Sequence, residues 1–183
     1  MTEKIYEKSI ETGELQLVGF SDTLSHFGIV FFCLFMPLTM FSLHLIDFFQ
    51  GRRTSFKEGE FWIVLAPSIV ALIFYWIQKR RLKFRIVQTN LKHDQLLKII
   101  NEVAKELKWK KISSNIKVYK ARTDPGFFSG SWGEQITILF YEDNVFVNSI
   151  CDLDKRSSVV SWGRNRENEK TLIDRINEAK IAP

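Results

Sequence analysis

Cysteine is nearly absent from this 183-residue chain: only Cys33 and Cys151 occur, far apart in sequence. Two such thiols make neither a disulfide framework nor a CxxC pair, which fits a reducing compartment for the C-terminal half. Histidine is as sparse, with His26, His44 and His93 alone, so no HExxH motif can be assembled. The nine glycines form neither GxGxxG nor Gly-Lys-Ser/Thr, which excludes the familiar phosphate-cradling loops. Ser-Trp-Gly occurs at 131–133 and again at 161–163, but two tripeptides are not a repeat architecture. The opening MTEKIYEKSIETGE is polar and acidic. It lacks the basic start and short apolar core of a cleavable signal, so none is expected.

The most telling absence is local. Asp, Glu, Lys and Arg are missing from Ser25–Ile46 and again from Phe61–Ile77. A run of about 20 apolar residues rising ~1.5 Å each spans a ~30 Å hydrocarbon core. At that depth, backbone groups are satisfied only within a helix or closed barrel. The two stretches therefore predict a transmembrane helical hairpin, with spans at about 25–46 and 61–77. The second run, at ~26 Å, is just long enough. Trp62 and Tyr75-Trp76 sit where interfacial aromatic belts belong. Pro37 is expected to kink the first helix. The linker Asp47–Glu60 is polar, carries Gly51 and Gly59, and turns the chain outside the bilayer.

His26, Cys33, Met40 and His44 fall on one face of the first span. A metal or haem site is the sharper reading of that stripe. Seven residues separate His26 from Cys33 by ~10 Å along the axis, however, so they cannot share an ion without ligands from another helix. A helix-packing seam is the preferred reading, and no cofactor is expected.

What is present is positive charge, unevenly placed. From Lys79 onward there are 21 Lys and Arg against 13 Asp and Glu, whereas residues 1–60 carry 5 against 8. Lys79, Arg80, Arg81, Lys83 and Arg85 directly follow the second run. Cations favour the cytoplasmic side, so both termini are expected inside a bacterial-type inner (plasma) membrane. The same cluster attracts anionic lipid headgroups, although setting topology alone would account for it. Nucleic acid is a poorer partner, because the aromatic residues that a single-strand groove interleaves with its cations are not clustered here.

The rest of the chain reads as a small α+β domain. Residues 4–20 flank Gly13 with mixed apolar and polar segments and predict a small β-hairpin, a disordered tail being the alternative. Ser21-Asp22-Thr23 offers N-caps for the first span. From Leu82, alternation through Phe84 and Ile86 predicts a strand. Leu91–Trp109 follows as a helix capped by Asn90. Strands are expected at Ile116–Ala121, Gln135–Glu142 and Val145–Cys151, with Asp143-Asn144 turning the last two. Ser157–Trp162 reads as one more strand, and Asn165 caps a final helix with Leu172, Ile173, Ile176 and Ala179 on one face. The order β-α-β-β-β-β-α predicts a mostly antiparallel sheet with two helices on one side. The expected domains are 1–22, 23–81 and 82–183.

Other candidate positions are few. The Gly-rich loop Arg122–Glu134 carries Phe127, Phe128 and Trp132, a contact surface for a partner or ligand unless the rings fold back as core. Arg164 and Arg166, at the start of the last helix, suit an anion or merely a solvated face. Asp152 and Asp154 are too few ligands for calcium and read as a turn. His93 lies on an exposed early turn of a helix, and Cys151 reads as a small core residue. No catalytic constellation emerges.

The sequence thus points to a non-catalytic accessory, scaffold or regulatory subunit of a membrane assembly, contacting lipid and either a second copy of itself or a larger membrane complex. A membrane-disrupting or pore-forming effector gated by the soluble domain is the alternative. An enzyme acting on lipid through Asp152, Asp154 and His93 ranks third.

Overall fold

A computed structural model describes residues 1–53, 59–124, 132–155 and 163–181. The chain begins with α1 (Glu3–Thr12) and then two long apolar helices, α2 (Gly19–Phe49) and α3 (Glu60–Arg81). There follow β1 (Arg85–Gln88), α4 (His93–Glu106), β2 (Trp109–Ser114), β3 (Val118–Thr123), β4 (Glu134–Tyr141), β5 (Asn144–Cys151) and α5 (Arg164–Ile181). The strands form one antiparallel sheet in the order β1-β5-β4-β3-β2. This is the expected α+β arrangement in coarse outline.

Alternation along the strands sends side chains to two faces, and both are covered. On one face Val87, Tyr119, Ala121, Ile136, Ile138, Val145 and Val147 meet Leu96, Ile100 and Val103 of α4 and Leu172 and Ile176 of α5. On the other, Val118, Leu139, Phe146 and Ile150 meet Tyr6 of α1, Leu15, Leu82 and Phe84. Phe27, near the start of α2, packs against this second cluster. The sheet is therefore a middle layer, not the outer layer of a two-layer sandwich.

That second cover corrects the reading of the N-terminus. Residues 3–12 are helical, not one arm of a β-hairpin, and Gly13 (φ 65°) ends the helix in the left-handed region. The positive φ was legible; its use was not, since a helix C-cap and a tight turn ask the same of glycine. Beyond Gly13 the chain turns extended. Leu15 donates its N–H to the Leu82 carbonyl at 2.7 Å, and Phe84 donates to that of Gly13 at 2.9 Å. The N-terminal segment is thereby stitched to the link between α3 and β1.

The α2–α3 pair is an antiparallel hairpin. Less exposed positions of α2 include His26, Val30, Cys33, Pro37, Met40, His44 and Asp47, alternating steps of four and three as in a two-helix seam. Glu60, Val64, Pro67, Ala71, Phe74, Gln78 and Arg81 repeat the pattern on α3. Outward positions are apolar: Phe32 is 75% exposed, Phe41 64% and Leu72 68%. Only 11% of the most apolar window of α2 and 6% of that of α3 is buried. These are not the core helices of a globule.

Smaller departures have local causes. α2 begins before Ser21-Asp22-Thr23, at Gly19, and Asp22 Oδ2 reaches back to accept the Val18 N–H at 2.9 Å. The helix expected through Trp109 stops at Glu106, because Lys108 takes a left-handed φ of 57°. Trp109 then opens β2, a strand unforeseen in the sequence. Lys92, not Asn90, is the N-cap of α4, and Asn165 lies inside α5. The β4–β5 turn is Glu142-Asp143, one residue earlier than expected, since Tyr141 pairs with Asn144; Glu142 has φ 50°. The strand expected at Ser157–Trp162 falls outside the described residues.

Leu15→Ala should therefore lower global stability by about 2–5 kcal/mol, the cost of emptying a buried leucine site. Chemical denaturation of the full chain in detergent checks this. A loss below about 0.5 kcal/mol would mean that the N-terminal segment is not part of the sheet domain's core.

Candidate functional site

Three residues, Leu82, Lys83 and Phe84, separate α3 from β1. A link that short leaves the last turn of α3 beside the sheet. Asn148, fully buried on β5, fixes it there by donating from Nδ2 to the Arg81 carbonyl at 2.8 Å and the Lys83 carbonyl at 3.1 Å. Helix C-terminal carbonyls need such donors. The same β5 segment positions α5. Ser149 Oγ donates to Asn165 Oδ1 at 3.1 Å, and Asn168 Nδ2 donates to Ser149 Oγ at 3.1 Å. Asn168 Oδ1 in turn accepts the Trp109 indole N–H at 2.9 Å. The Ser149 backbone N–H donates to Glu169 Oε1 at 3.0 Å.

Between the end of α3 and the start of α5 lies an open groove of about 580 Å³. One wall is Trp76, Ile77 and Phe84; the charged lining is Arg80, Arg81, Lys83, Arg85 and Arg166, with Glu169 the one carboxylate among the described residues. Two positively charged sequence candidates some eighty residues apart, the cluster after the second apolar run and the start of the last helix, thus share one site. Lys79 and Arg164 do not line it. The Arg80 guanidinium stacks 4.6 Å from the centroid of Trp76, a cation–π contact that holds it at the groove's apolar edge. Arg85 Nε donates to Glu169 Oε2 at 2.8 Å. Arg81 Nη1 is buried and meets no hydrogen-bond partner among the described residues.

Glu169 is nearly buried. Desolvation raises its carboxyl pKa above the ordinary range, while the Ser149 N–H and Arg85 pull in the opposite direction.

The stripe on α2 does not gather into a ligand set. His26 is buried, with Nε2 2.9 Å from the Gln78 carbonyl oxygen, and Gln78 Nε2 returns a donor to the His26 carbonyl at 2.7 Å. His44 lies 3.9 Å from Glu60 at the far end of the hairpin. Cys33 and Met40 are half-buried between them. No group of three potential metal ligands occurs among the described residues.

Phe127 and Phe128 fall outside the described residues. Trp132 is 51% exposed. Beside that loop, Asp124 sits between Lys155 at 2.6 Å and Lys110 at 2.9 Å, and these two cations lower its carboxyl pKa to about 2. Asp152 is buried and its Oδ1 accepts the Asp154 N–H at 3.2 Å, while Asp154 faces Arg122 at 3.9 Å. His93 packs edge-on against Phe140 at 4.8 Å. Asp152, Asp154 and His93 therefore form no shared constellation.

The polar side chains of β5 that seat α3 and α5 were missed at the sequence level. A signal existed: Asn148 and Ser149 interrupt an otherwise apolar strand, and buried polar side chains occur where something must be hydrogen-bonded.

Two pH effects follow. Because the Glu169 pKa is raised on folding, its contribution to stability is complete below the unfolded value of about 4.5 and is lost as pH rises through the folded value. Glu169→Gln should flatten that decline in denaturation midpoints; a profile parallel to wild type would contradict it. Asp124 is shifted the other way, so its contribution is present above the ordinary 3.8 and is lost as pH falls toward about 2. NMR titration should find the Asp124 carboxyl near that value and see it rise in Lys155→Met; an unchanged pKa would exclude the pairing. Compared with protein-family models and with curated proteins, the chain matches none.

Proposed function

We propose that this chain is a two-pass membrane protein that holds its sheet domain against the membrane surface and works without catalysis, as an accessory, scaffold or regulatory subunit of a membrane assembly. The observation that carries this reading is the apolar girdle of α2 and α3. Phe31, Phe32, Phe35, Leu38, Phe41 and Leu43 on α2, with Ile69, Leu72 and Ile73 on α3, face outward with no protein layer over them. In water that surface would far exceed the few hundred Å² a soluble monomer exposes; in hydrocarbon it is at home. The helices are ~46 and ~33 Å long, enough for a ~30 Å core.

Two further features agree. α1 packs on the sheet, so both termini lie on the same side of the hairpin, as an even number of crossings requires. Lys79, Arg80 and Arg81 occupy the last turn of α3 beside Trp76, the order of cation and aromatic belt expected at a cytoplasmic interface. An outward face of Phe and Leu suits lipid better than a water-lined channel, which favours anchoring over pore formation.

The chain should remain with membranes at alkaline pH. In a Cys33→Ser, Cys151→Ser background, a membrane-impermeant maleimide should label Ser55→Cys on intact cells, but Glu11→Cys and Lys170→Cys only after lysis. Release at alkaline pH would end the two-pass reading. Labelling of Lys170→Cys from outside would invert the topology.

A further inference from the structure

We propose that the groove between α3 and α5 is a binding site for the phosphate of one anionic phospholipid, taken from the adjacent leaflet. This inference rests on the two-pass reading. Among the described residues, five cations line the groove against the single carboxylate Glu169, which already engages Arg85. Such an excess of one sign makes a locally positive field that attracts an anion. Arg81, half-buried, lines the groove; its Nη1 is buried and has no hydrogen-bond partner among the described residues, and a buried donor is costly unless hydrogen-bonded. The Asn148 bond to the Arg81 carbonyl and the residue's place in the α3 seam fix where that side chain starts.

The lining chooses the kind of anion. A free phosphate would be served by cations alone. Here Trp76, Ile77 and Phe84 form an apolar wall continuous with the outward face of α3, so the site is amphipathic in the same direction as a lipid. Arg80, stacked on Trp76, stands at the level where a headgroup phosphate meets the acyl boundary. Arginine suits the role because its planar fork meets phosphate oxygens two at a time. In this arrangement Arg81 and Arg166 bind the phosphate from opposite sides, so one lipid bridges the hairpin to α5.

The site differs from diffuse attraction between basic residues and an anionic surface, and native mass spectrometry of the full chain in detergent separates the two. Phosphatidylglycerol, phosphatidylcholine and inorganic phosphate are titrated onto wild type, onto Arg81→Gln/Arg166→Gln, and onto Lys79→Gln/Lys170→Gln, which removes the same charge outside the groove. The expected result is one tightly held phosphatidylglycerol per wild-type chain and at least tenfold weaker binding of the other two ligands. The groove double variant should lose at least tenfold in phosphatidylglycerol affinity and the control less than twofold. Arg166→Gln alone, on an exposed side chain, should lose affinity without change in melting temperature, which separates ligand loss from misfolding. Equal losses in the two double variants would overturn the proposal, as would equal affinity for phosphatidylcholine. Inorganic phosphate competing at the same concentration would reduce the site to one for free anions and overturn the lipid assignment. If the labelling experiment fails while phosphatidylglycerol still binds, the two-pass reading falls separately from the site.

Discussion

Everything in this molecule turns on how α3 enters the sheet. A helix whose outward face suits hydrocarbon runs, after three residues, into a strand hydrogen-bonded at the sheet's edge. That junction leaves the carbonyls of Arg81, at the end of α3, and of Leu82 and Lys83, in the link, to be satisfied from elsewhere, and unsatisfied backbone groups are expensive when buried. Asn148 supplies two of the needed donors from the sheet, and Leu15 supplies a third from the N-terminal segment. The polar atoms that satisfy the helix end are thus the ones that bind hairpin to domain. A flexible tether would have left the two parts independent; here a change in the tilt of α3 must be felt in β1 and its partner β5.

The same logic operates inside the hairpin. A buried polar side chain between apolar helices is tolerated when paired, and then it fixes register more than it adds stability. His26 and Gln78 exchange two hydrogen bonds through each other's backbone carbonyl, which no neighbouring register could reproduce. His44 and Glu60 meet at the opposite end in that one register, which sets Pro37 level with Pro67. Two sites of specific polar pairing, with small and half-buried residues between, give the hairpin one alignment. That alignment determines where Arg80 and Arg81 emerge.

How much of this was legible depended on length scale. The two charge-free runs and the amphipathic faces of α4 and α5 were readable, because each signal repeats several times within one element. α1 was not: Ile5, Tyr6 and Ile10 are too few to separate a short helix from a strand, and Gly13 serves either. β2 was hidden because five of its six residues are exposed, leaving an edge strand with no alternation to detect. Lys108 in a left-handed conformation ends α4 with a residue type that rarely does so. The groove was legible only as halves. Arg85 and Arg166 come to line one groove through the β1–β5 pairing and the seating of α5 on Ser149, both long-range events that no local window contains. The Asn-Ser interruption of β5 was the one readable trace of that seating.

Hydrogen exchange on the full chain in lipid bilayers tests the junction most directly. The Leu15 and Phe84 amides donate to Leu82 and Gly13, outside any helix or central strand, and should exchange freely if the N-terminal segment and the α3–β1 link move apart. Protection of both at the level of the β5 amides is what a single continuous hairpin-and-sheet body requires. Rapid exchange at Leu15 and Phe84 beside a protected β5 would contradict it.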